Sequence, residues 1–371
     1  MSVDRLRKVK SLMEEGGYEC LFITPGPNQR YLTGLHYDYP GDAWDTIITW
    51  DMITTAIIPL DGDPVVVTPK ICENWARGVT KTEDIRCYSG AENRNKILKD
   101  LLGKMKGTLG TEDHMPFKTY EQLSAVLPQI KMENVSDMLS RARLVKSEEE
   151  VESMRRAAGI VEQGVKVGRE FIRESITEKE ISIEVERAMR MQGAEGISYC
   201  VVQTGAKTAS WDPPTESRVK KGDMFLMDLS ATYNGYHADI TRPTVVGEPS
   251  EKQKKVHKTI LDAQLKAIEA VRDGVKAGLV NEAAKRVIDE SGYGDYFPFG
   301  IGHGLGLEAH ETPHLTEYRD MELTLRPGMV MTIEPTINLP GEFGIRIEDD
   351  ILVTAGGRDS LTTLGKELVQ I

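Results

Sequence analysis

MDLSATYNGYHADITR, residues 227–242, is typical of two β-strands joined by a tight turn. The Asn-Gly pair at 234–235 is the strongest short signal for a two-residue type I′ hairpin. Residues that oppose each other across such a hairpin share a sheet face, as do residues two apart on one strand. Symmetric pairing about this turn therefore places Asp228 and Asp239 on one face as diagonal neighbours, with Cβ atoms roughly 7–8 Å apart or less.

Three further polar residues lie in strand-like, mostly apolar stretches: His303 in GIGHGLG, Glu334 in TIEP and Glu348 in RIEDD. The two glutamates are equidistant from Gly341, so a connection there would bring both to one point. Four buried carboxylates would repel one another and have strongly raised pKa values. Two divalent cations would balance them, with a neutral imidazole as the nitrogen donor. The pattern predicts a two-metal hydrolase site.

The composition is that of an ordinary soluble protein. Its 371 residues include 46 basic and 58 acidic side chains, and this acidic balance argues against nucleic-acid binding. No apolar run approaches the ~20 residues of a membrane helix, and the N-terminus lacks a signal-peptide core. The four cysteines have no C-x-x-C spacing, which favours free thiols in a reducing compartment. We expect a cytoplasmic protein without a membrane or nucleic-acid partner.

Two domains are expected from the length and the order of patterns. Residues 1–135 alternate helix-like and strand-like segments, which predicts a small α/β domain. The segments in question are a helix near 3–16, strands at 18–24, 46–60, 64–68 and 107–112, and helices near 93–105 and 117–126.

Residues 136–371 combine long amphipathic helices with strand hairpins, which predicts an α+β domain with helices on one face of an antiparallel sheet. Two successive helix-then-strand blocks, 151–244 and 250–353, could be a diverged internal repeat. The predicted helices are 151–172 and two that start at the capping boxes of Thr177 and Ser250.

The order and context of these motifs closely resemble the pita-bread metallopeptidases, which include Xaa-Pro dipeptidases, Xaa-Pro aminopeptidases, methionine aminopeptidases and creatinase. NQRYLTG at 28–34 and RLVKSEEEVESMRRA at 143–157 resemble the N-terminal domain and junction of the prolidase and creatinase branch. The resemblance covers essentially the whole chain. It implies a C-terminal pita-bread domain of two αβ halves with a curved antiparallel sheet, a smaller creatinase-like N-terminal domain, and a homodimer.

The resemblance also implies roles for the site residues. Glu334 would be the general base for a metal-bridging water, His310 would contact the substrate and stabilise the tetrahedral intermediate, and Arg346 would support the site. The oxygen-rich ligand set leaves Mn²⁺, Co²⁺, Fe²⁺ and Zn²⁺ open. The implied ligands are Asp228 on one ion, Asp239 and Glu348 bridging both, and His303 and Glu334 on the other.

One position departs from the family pattern. Peptidases of this family usually have a histidine eleven residues before the glycine that corresponds to Gly222, and here that position is Trp211. Tryptophan cannot accept a proton. It could instead bind substrate as an aromatic wall that selects an apolar, ring-shaped or cationic molecule.

Three functions therefore stay open. The first is a two-metal Xaa-Pro dipeptidase or aminopeptidase that hydrolyses short peptides. The second is a metal-dependent hydrolase or lyase of the same fold that acts on a small molecule, which Trp211 favours. The third is a metal-free binding module, against which the complete set of five ligands argues.

The remaining histidines receive simpler interpretations. His237 is expected to face away from the two aspartates, and His114, His257 and His314 are expected to face solvent. His36 is expected in a surface loop, the minority alternative being that its aromatic loop closes over an active site.

Overall fold

The computed structural model describes residues 3–36, 53–298 and 300–371. The chain divides into two compact units, Met1–Arg143 and Leu144–Ile371. Most of the aromatic loop after His36, and the first part of the strand predicted at 46–60, lie outside the described residues. Among the described residues, no helix is both long enough and apolar enough to cross a membrane.

The first unit alternates helices and strands, as the sequence predicts. Its strands β1 to β6 are Tyr18–Ile23, Thr55–Pro59, Val65–Pro69, Asp84–Tyr88, Thr108–Thr111 and Lys131–Asn134. Its helices α1 to α6 are Val3–Gly16, Pro27–Thr33, Glu73–Val79, Ala91–Leu102, Phe117–Val126 and Ser136–Arg143.

The strands described in this unit form one mixed six-stranded sheet in the order β4-β3-β2-β1-β5-β6. Strands β2 and β3 pair antiparallel, and Asp61-Gly62-Asp63 lies in the connection between them. The pairs β3–β4, β1–β5 and β5–β6 are parallel, and parallel neighbours require crossover connections such as helices. Phe22 and Leu109 from the sheet pack with Leu98 and Leu123 from the helices in one apolar core.

The second unit carries the candidate site. Its strands β7 to β17 are Gly196–Thr204, Met224–Tyr233, Tyr236–Val245, Gly300–Gly304, Glu311–Thr316, Val330–Ile333, Thr336–Leu339, Phe343–Arg346, Asp349–Thr354, Gly357–Ser360 and Val369–Gln370. Its helices α7 to α10 are Glu148–Phe171, Glu178–Met191, Glu251–Ala270 and Ala277–Glu290.

The strands of the second unit form three sheets, in the orders β17-β9-β8-β7, β11-β10-β12-β15-β16 and β13-β14. Helices α7 and α8 pack on β7, β8 and β9, and helices α9 and α10 pack on the later strands. Each helix pair thus covers its own group of mainly antiparallel strands. The expected α+β architecture with two αβ halves is confirmed.

Side chains that cap helix N-termini explain which helices can be predicted from the sequence. The predicted capping boxes at Thr177 and Ser250 are present, and a third at Ser147 starts α7. Helix α10 was not predicted, since its N-cap residue Lys276 makes no side-chain capping bond to a described residue. That helix is held by an apolar face that packs in the core of this unit.

Two of the histidines that are expected at the surface, His114 and His257, differ in their exposure. His114 has a side chain that is 43% exposed, as expected. His257 is buried on α9, where Nε2 contacts the carbonyl of Lys366 at 2.9 Å, so the expectation of a solvent-facing side chain is wrong. Burial lowers the pKa of His257, which keeps it neutral at pH 7.

Candidate metal centre

The hairpin of β8 and β9 presents the two aspartates on one face. Asn234 and Gly235 have positive φ angles of 49° and 76°, as a type I′ turn requires. Ser230 opposes Asp239, so the predicted register is confirmed. Asp228 and Asp239 are both buried, at 5% and 0% exposure.

A second hairpin brings Glu334 and Glu348 opposite each other. On one side of the glutamates, Ile333 of β12 pairs with Asp349 of β15. On the other side, β13 and β14 pair with the same symmetry about Gly341. The symmetry predicted from the sequence is confirmed, although the glutamates themselves lie between two separate ladders.

Thr241 fastens the two hairpins together. Its carbonyl accepts the backbone N–H of Glu348 at 3.2 Å, and its hydroxyl donates to Glu348 Oε2 at 2.6 Å. The backbone N–H of Glu334 donates to the carbonyl of Ile301 at 2.7 Å, which adds the strand that bears His303. Three separate chain segments therefore meet at one point.

Four of the five candidate ligands lie in direct proximity. Asp239, His303 and Glu348 each offer one ligand atom, and these three atoms all lie within 4.8 Å of one another. His303 Nε2 also lies 3.2 Å from Glu334 Oε1. These spacings suit side chains that share a metal ion.

Arg346 joins the fifth candidate, Asp228, to the cluster. Its Nη1 donates to Asp228 Oδ2 at 2.5 Å, and its Nε lies 3.7 Å from Glu334 Oε2. Nε also donates to the hydroxyl of Thr336 at 3.0 Å, which fixes the orientation of the guanidinium. Arg346 therefore contacts Asp228 and lies beside Glu334.

The charges of the cluster are poorly balanced. Burial raises the pKa of Asp228 to about 6 and that of Asp239 to about 7. Burial, together with the charges of the neighbouring carboxylates, raises the pKa of Glu348 well above its usual range. Glu334 differs, because the hydrogen bond and charge of His303 outweigh burial and hold the pKa of Glu334 below its usual value. More positive charge is needed to ionise all four carboxylates.

Unsatisfied oxygen atoms point to where that charge belongs. Within the described residues, neither Asp228 Oδ1 nor Asp239 Oδ1 has a hydrogen-bond partner, although both are buried. Carboxylate oxygens and a single imidazole nitrogen are donors that divalent first-row metals accept. The residues present therefore fit a divalent metal centre.

Tyr199 is a site residue that the motif analysis missed. Its hydroxyl donates to Asp239 Oδ2. Tyr199 and Asp239 both pair with Ser230, from opposite sides, so the three residues form one row across the sheet. The proximity of Tyr199 to Asp239 can be predicted only once the pairing of β7 with β8 is known.

His310 and His237 lie beside the cluster. The His310 ring centroid is 4.0 Å from that of His303, and desolvation, with the charge of His303, lowers the pKa of His310 to about 4. His237 lies on the same strand face as Asp239, against the expectation that it faces away, and its Nδ1 is 3.1 Å from the carbonyl oxygen of Gly306. That expectation is wrong because residues two apart on a strand, here His237 and Asp239, share a face.

Trp211 lies at the edge of the site. The residue is 60% exposed, and its ring covers the guanidinium of Arg346, whose Cζ is 4.8 Å from the ring centroid. The contact is a cation–π interaction with the arginine that holds Asp228. One face of the indole is thus occupied, and the remaining surface is open to solvent.

The glycines around His303 are required by close backbone approach. A Cβ atom on Gly302, which has a φ of 149°, would lie 2.1 Å from the carbonyl oxygen of Thr332. The hydroxyl of Thr332 accepts the backbone N–H of His303 at 3.1 Å and donates to Glu334 Oε1 at 3.3 Å. Gly302 therefore allows one threonine to hold two candidate ligands.

Comparison with known proteins covers both units. The model of metallopeptidase family M24 matches residues 152–355. The model of the creatinase/prolidase N-terminal domain matches residues 5–145.

Similar proteins match along the full length. The Xaa-Pro dipeptidase of Pyrococcus horikoshii is 32% identical over 99% of both chains. The crystal structure of the prolidase from Pyrococcus horikoshii OT3 has a TM-score of 0.88 at 31% identity, covering 99% of this chain and 100% of that one. The X-Pro aminopeptidase from Thermotoga maritima has a TM-score of 0.85 at 29% identity over 99% of both chains.

Replacing Gly302 with alanine tests the close packing at His303. We expect Gly302→Ala to lower the free energy of unfolding by about 1–3 kcal/mol, because the new Cβ must displace the Thr332 carbonyl. Gly356→Ala is the control, since no described atom lies within 4 Å of its added Cβ. Urea unfolding of both variants measures the difference. Equal stability of the two variants would contradict the packing role.

Proposed function

Because the chain belongs to metallopeptidase family M24, we propose that it is a metal-dependent Xaa-Pro dipeptidase or aminopeptidase. The observation that carries the proposal is the convergence of Asp239, His303 and Glu348. Glu334 adjoins His303, and Asp228 is joined to the cluster through Arg346. The similarity to an Xaa-Pro dipeptidase over the full length supports a dipeptidase in particular.

Two divalent ions would be held by the five candidate ligands. We propose Asp228 on one ion, Asp239 and Glu348 on both, and His303 and Glu334 on the other. When bound, such ions would supply a nucleophilic water at neutral pH and polarise the scissile carbonyl. The donor set accepts Mn²⁺, Co²⁺, Fe²⁺ or Zn²⁺. The cytoplasmic location and the homodimer stay predictions.

Glu334 is the proposed proton acceptor. His303 and Arg346 hold the pKa of Glu334 below its usual value in spite of burial, so the carboxylate is ionised and can accept a proton. Its side chain is 15% exposed, against 7% for the Asp228 side chain, so it is the more accessible of the two. A carboxylate oxygen there can take a proton from the attacking water and pass it to the leaving amine.

His310 is the proposed donor to the substrate oxygen. With a pKa of about 4, it is neutral at pH 7 and keeps one N–H for donation. It contacts the ring of His303 and reaches solvent, so its free edge can meet a bound substrate. A hydrogen bond to the developing oxyanion would stabilise the tetrahedral intermediate.

Trp211 favours a second candidate function, a metal-dependent hydrolase or lyase that acts on a small molecule. The backbone on either side of Trp211 is fixed by hydrogen bonds from buried side chains. The buried amide of Gln203 donates to the backbone carbonyls on either side of Trp211, at 3.1 and 3.0 Å. The buried Glu178 accepts the backbone N–H groups of Thr204 and Thr215, which bracket the loop. A preorganised aromatic wall suits an apolar, ring-shaped or cationic substrate group.

Turnover of Xaa-Pro peptides by the metal-loaded protein tests the first candidate. We expect Mn²⁺- or Co²⁺-loaded enzyme to hydrolyse Xaa-Pro dipeptides and to lose activity with EDTA, because the ions activate the water. Glu334→Gln should lower kcat by about 10²–10⁴-fold while the protein stays folded. A Xaa-Pro-Xaa tripeptide series distinguishes a dipeptidase from an aminopeptidase.

A failure to hydrolyse Xaa-Pro peptides would distinguish the two candidate functions. If the folded, metal-loaded protein hydrolyses no Xaa-Pro peptide, the peptidase proposal fails and the small-molecule candidate takes its place.

Substitution of Trp211 tests its effect on specificity. We expect Trp211→His to raise kcat/KM for Xaa-Pro peptides by about tenfold or more, since an imidazole can transfer a proton where an indole cannot. Trp211→Phe retains an aromatic ring without that ability and serves as the matched control. Equal kcat/KM values for the two variants would show that Trp211 does not limit peptide hydrolysis.

A further inference from the structure

Arg242 lies behind the candidate metal centre and is fully buried. All five of its N–H groups have acceptors, so its planar guanidinium is fixed in position. The acceptors are the carbonyls of Gly365 (3.0 Å), Thr241 (3.0 Å), Glu348 (2.5 Å) and Leu364 (2.7 Å) and Oδ1 of Asp349 (2.6 Å).

Asp349, the partner of Arg242, is also fully buried and accepts from four groups. Each of its oxygens therefore receives two hydrogen bonds. The donors are Arg242 Nη2 (2.6 Å) and the Thr362 hydroxyl (2.7 Å) to Oδ1, and the Gln264 amide (2.8 Å) and Lys366 Nζ (2.7 Å) to Oδ2.

These bonds end on the backbone that carries the candidate ligands. Arg242 Nη1 donates to the backbone carbonyl of Glu348, a candidate ligand. The amide of Gln264 donates to the carbonyl of Ile333, the residue before Glu334, at 3.1 Å. Arg242 also lies three residues after Asp239 on β9. One network thus reaches the chain beside Asp239, Glu334 and Glu348.

The segment 362–366 is the outer part of this network. Thr362 and Lys366 bond Asp349 through their side chains, and Lys366 also donates to Gln264 Oε1 at 2.9 Å. The segment is held in turn by Glu162 of α7, which accepts the backbone N–H of Leu364 at 2.8 Å. Its position is therefore coupled to the ligand strands.

We propose that the Arg242–Asp349 pair and the segment 362–366 are positioning elements that set the affinity of the metal centre. A buried ion pair is expensive to desolvate and is a poor source of net stability, but a fully satisfied one has a single geometry. Here that geometry fixes the backbone of Glu348 and the residue before Glu334. The inference rests on the proposed metal function of these ligands.

Variants at the edge of the network weaken it without isolating a buried charge. Lys366→Met removes one donor to Asp349, which keeps Arg242, Gln264 and Thr362. Thr362→Val removes another donor to the same carboxylate. Each variant should weaken Mn²⁺ binding by about 10–100-fold, the usual effect of losing a group that orients metal ligands.

Two controls separate positioning from general stability. Arg155→Met removes the basic partner of Asp359, an exposed ion pair that joins α7 to β16 in the same unit. Val185→Ala opens a cavity under α8, at a fully buried residue remote in sequence from the network. Both controls should bind Mn²⁺ within about twofold of wild type, even where the cavity lowers Tm.

Calorimetric titration of EDTA-treated protein with Mn²⁺ measures the affinity of each variant. The absorption spectrum of the Co²⁺ form reports the ligand geometry, and the Tm without metal reports stability. Loss of affinity in Lys366→Met and Thr362→Val, with a changed Co²⁺ spectrum and unchanged controls, is the expected result. Wild-type affinity in both network variants, or an equal loss in Val185→Ala, would overturn the positioning role. A wild type that binds no Mn²⁺ would instead refute the metal centre itself, and the inference with it.

Discussion

Burial of several carboxylates in one place is the constraint on which the second unit depends. Asp228, Asp239 and Glu348 are nearly inaccessible to water, and burial raises the pKa of each. Among the described residues, Arg346 and His303 together supply too little positive charge for four carboxylates. Such a cluster is costly unless cations bind it, which fits a member of a metallopeptidase family.

Two symmetric hairpins supply four of the clustered side chains, and hydrogen bonds join one hairpin to the other. Each hairpin contributes a pair of carboxylates, and Thr241 and Arg242 join the strand of one hairpin to Glu348 of the other. Trp211 closes the arrangement at its solvent edge by covering Arg346. The two hairpins therefore position four of the candidate ligands and the arginine beside them, and the exposed indole lies over that arginine.

Local rules predicted the hairpins but not the contacts between them. The Asn-Gly turn and the symmetry about Gly341 placed four carboxylates correctly relative to their own strand partners. Tyr199 and the buried Arg242 network depend on pairing between distant segments, which no local pattern encodes. Helix α10 lacks a capping signal in the sequence. The expected outward orientation of His237 is wrong because His237 and Asp239 lie two residues apart on one strand and so share a face. Tertiary packing therefore determines the contacts between distant segments, whereas the strand face of His237 follows from alternation alone.

Anomalous diffraction from crystals grown with Mn²⁺ tests the two-metal centre most directly. Two peaks per chain are expected, about 3.5–4 Å apart, with Asp239 and Glu348 between them and Asp228 on one side. The Arg346–Asp228 contact should persist on one oxygen while the unpaired Asp228 Oδ1 binds metal. A single peak, or none at full Mn²⁺ loading, would contradict a dinuclear site.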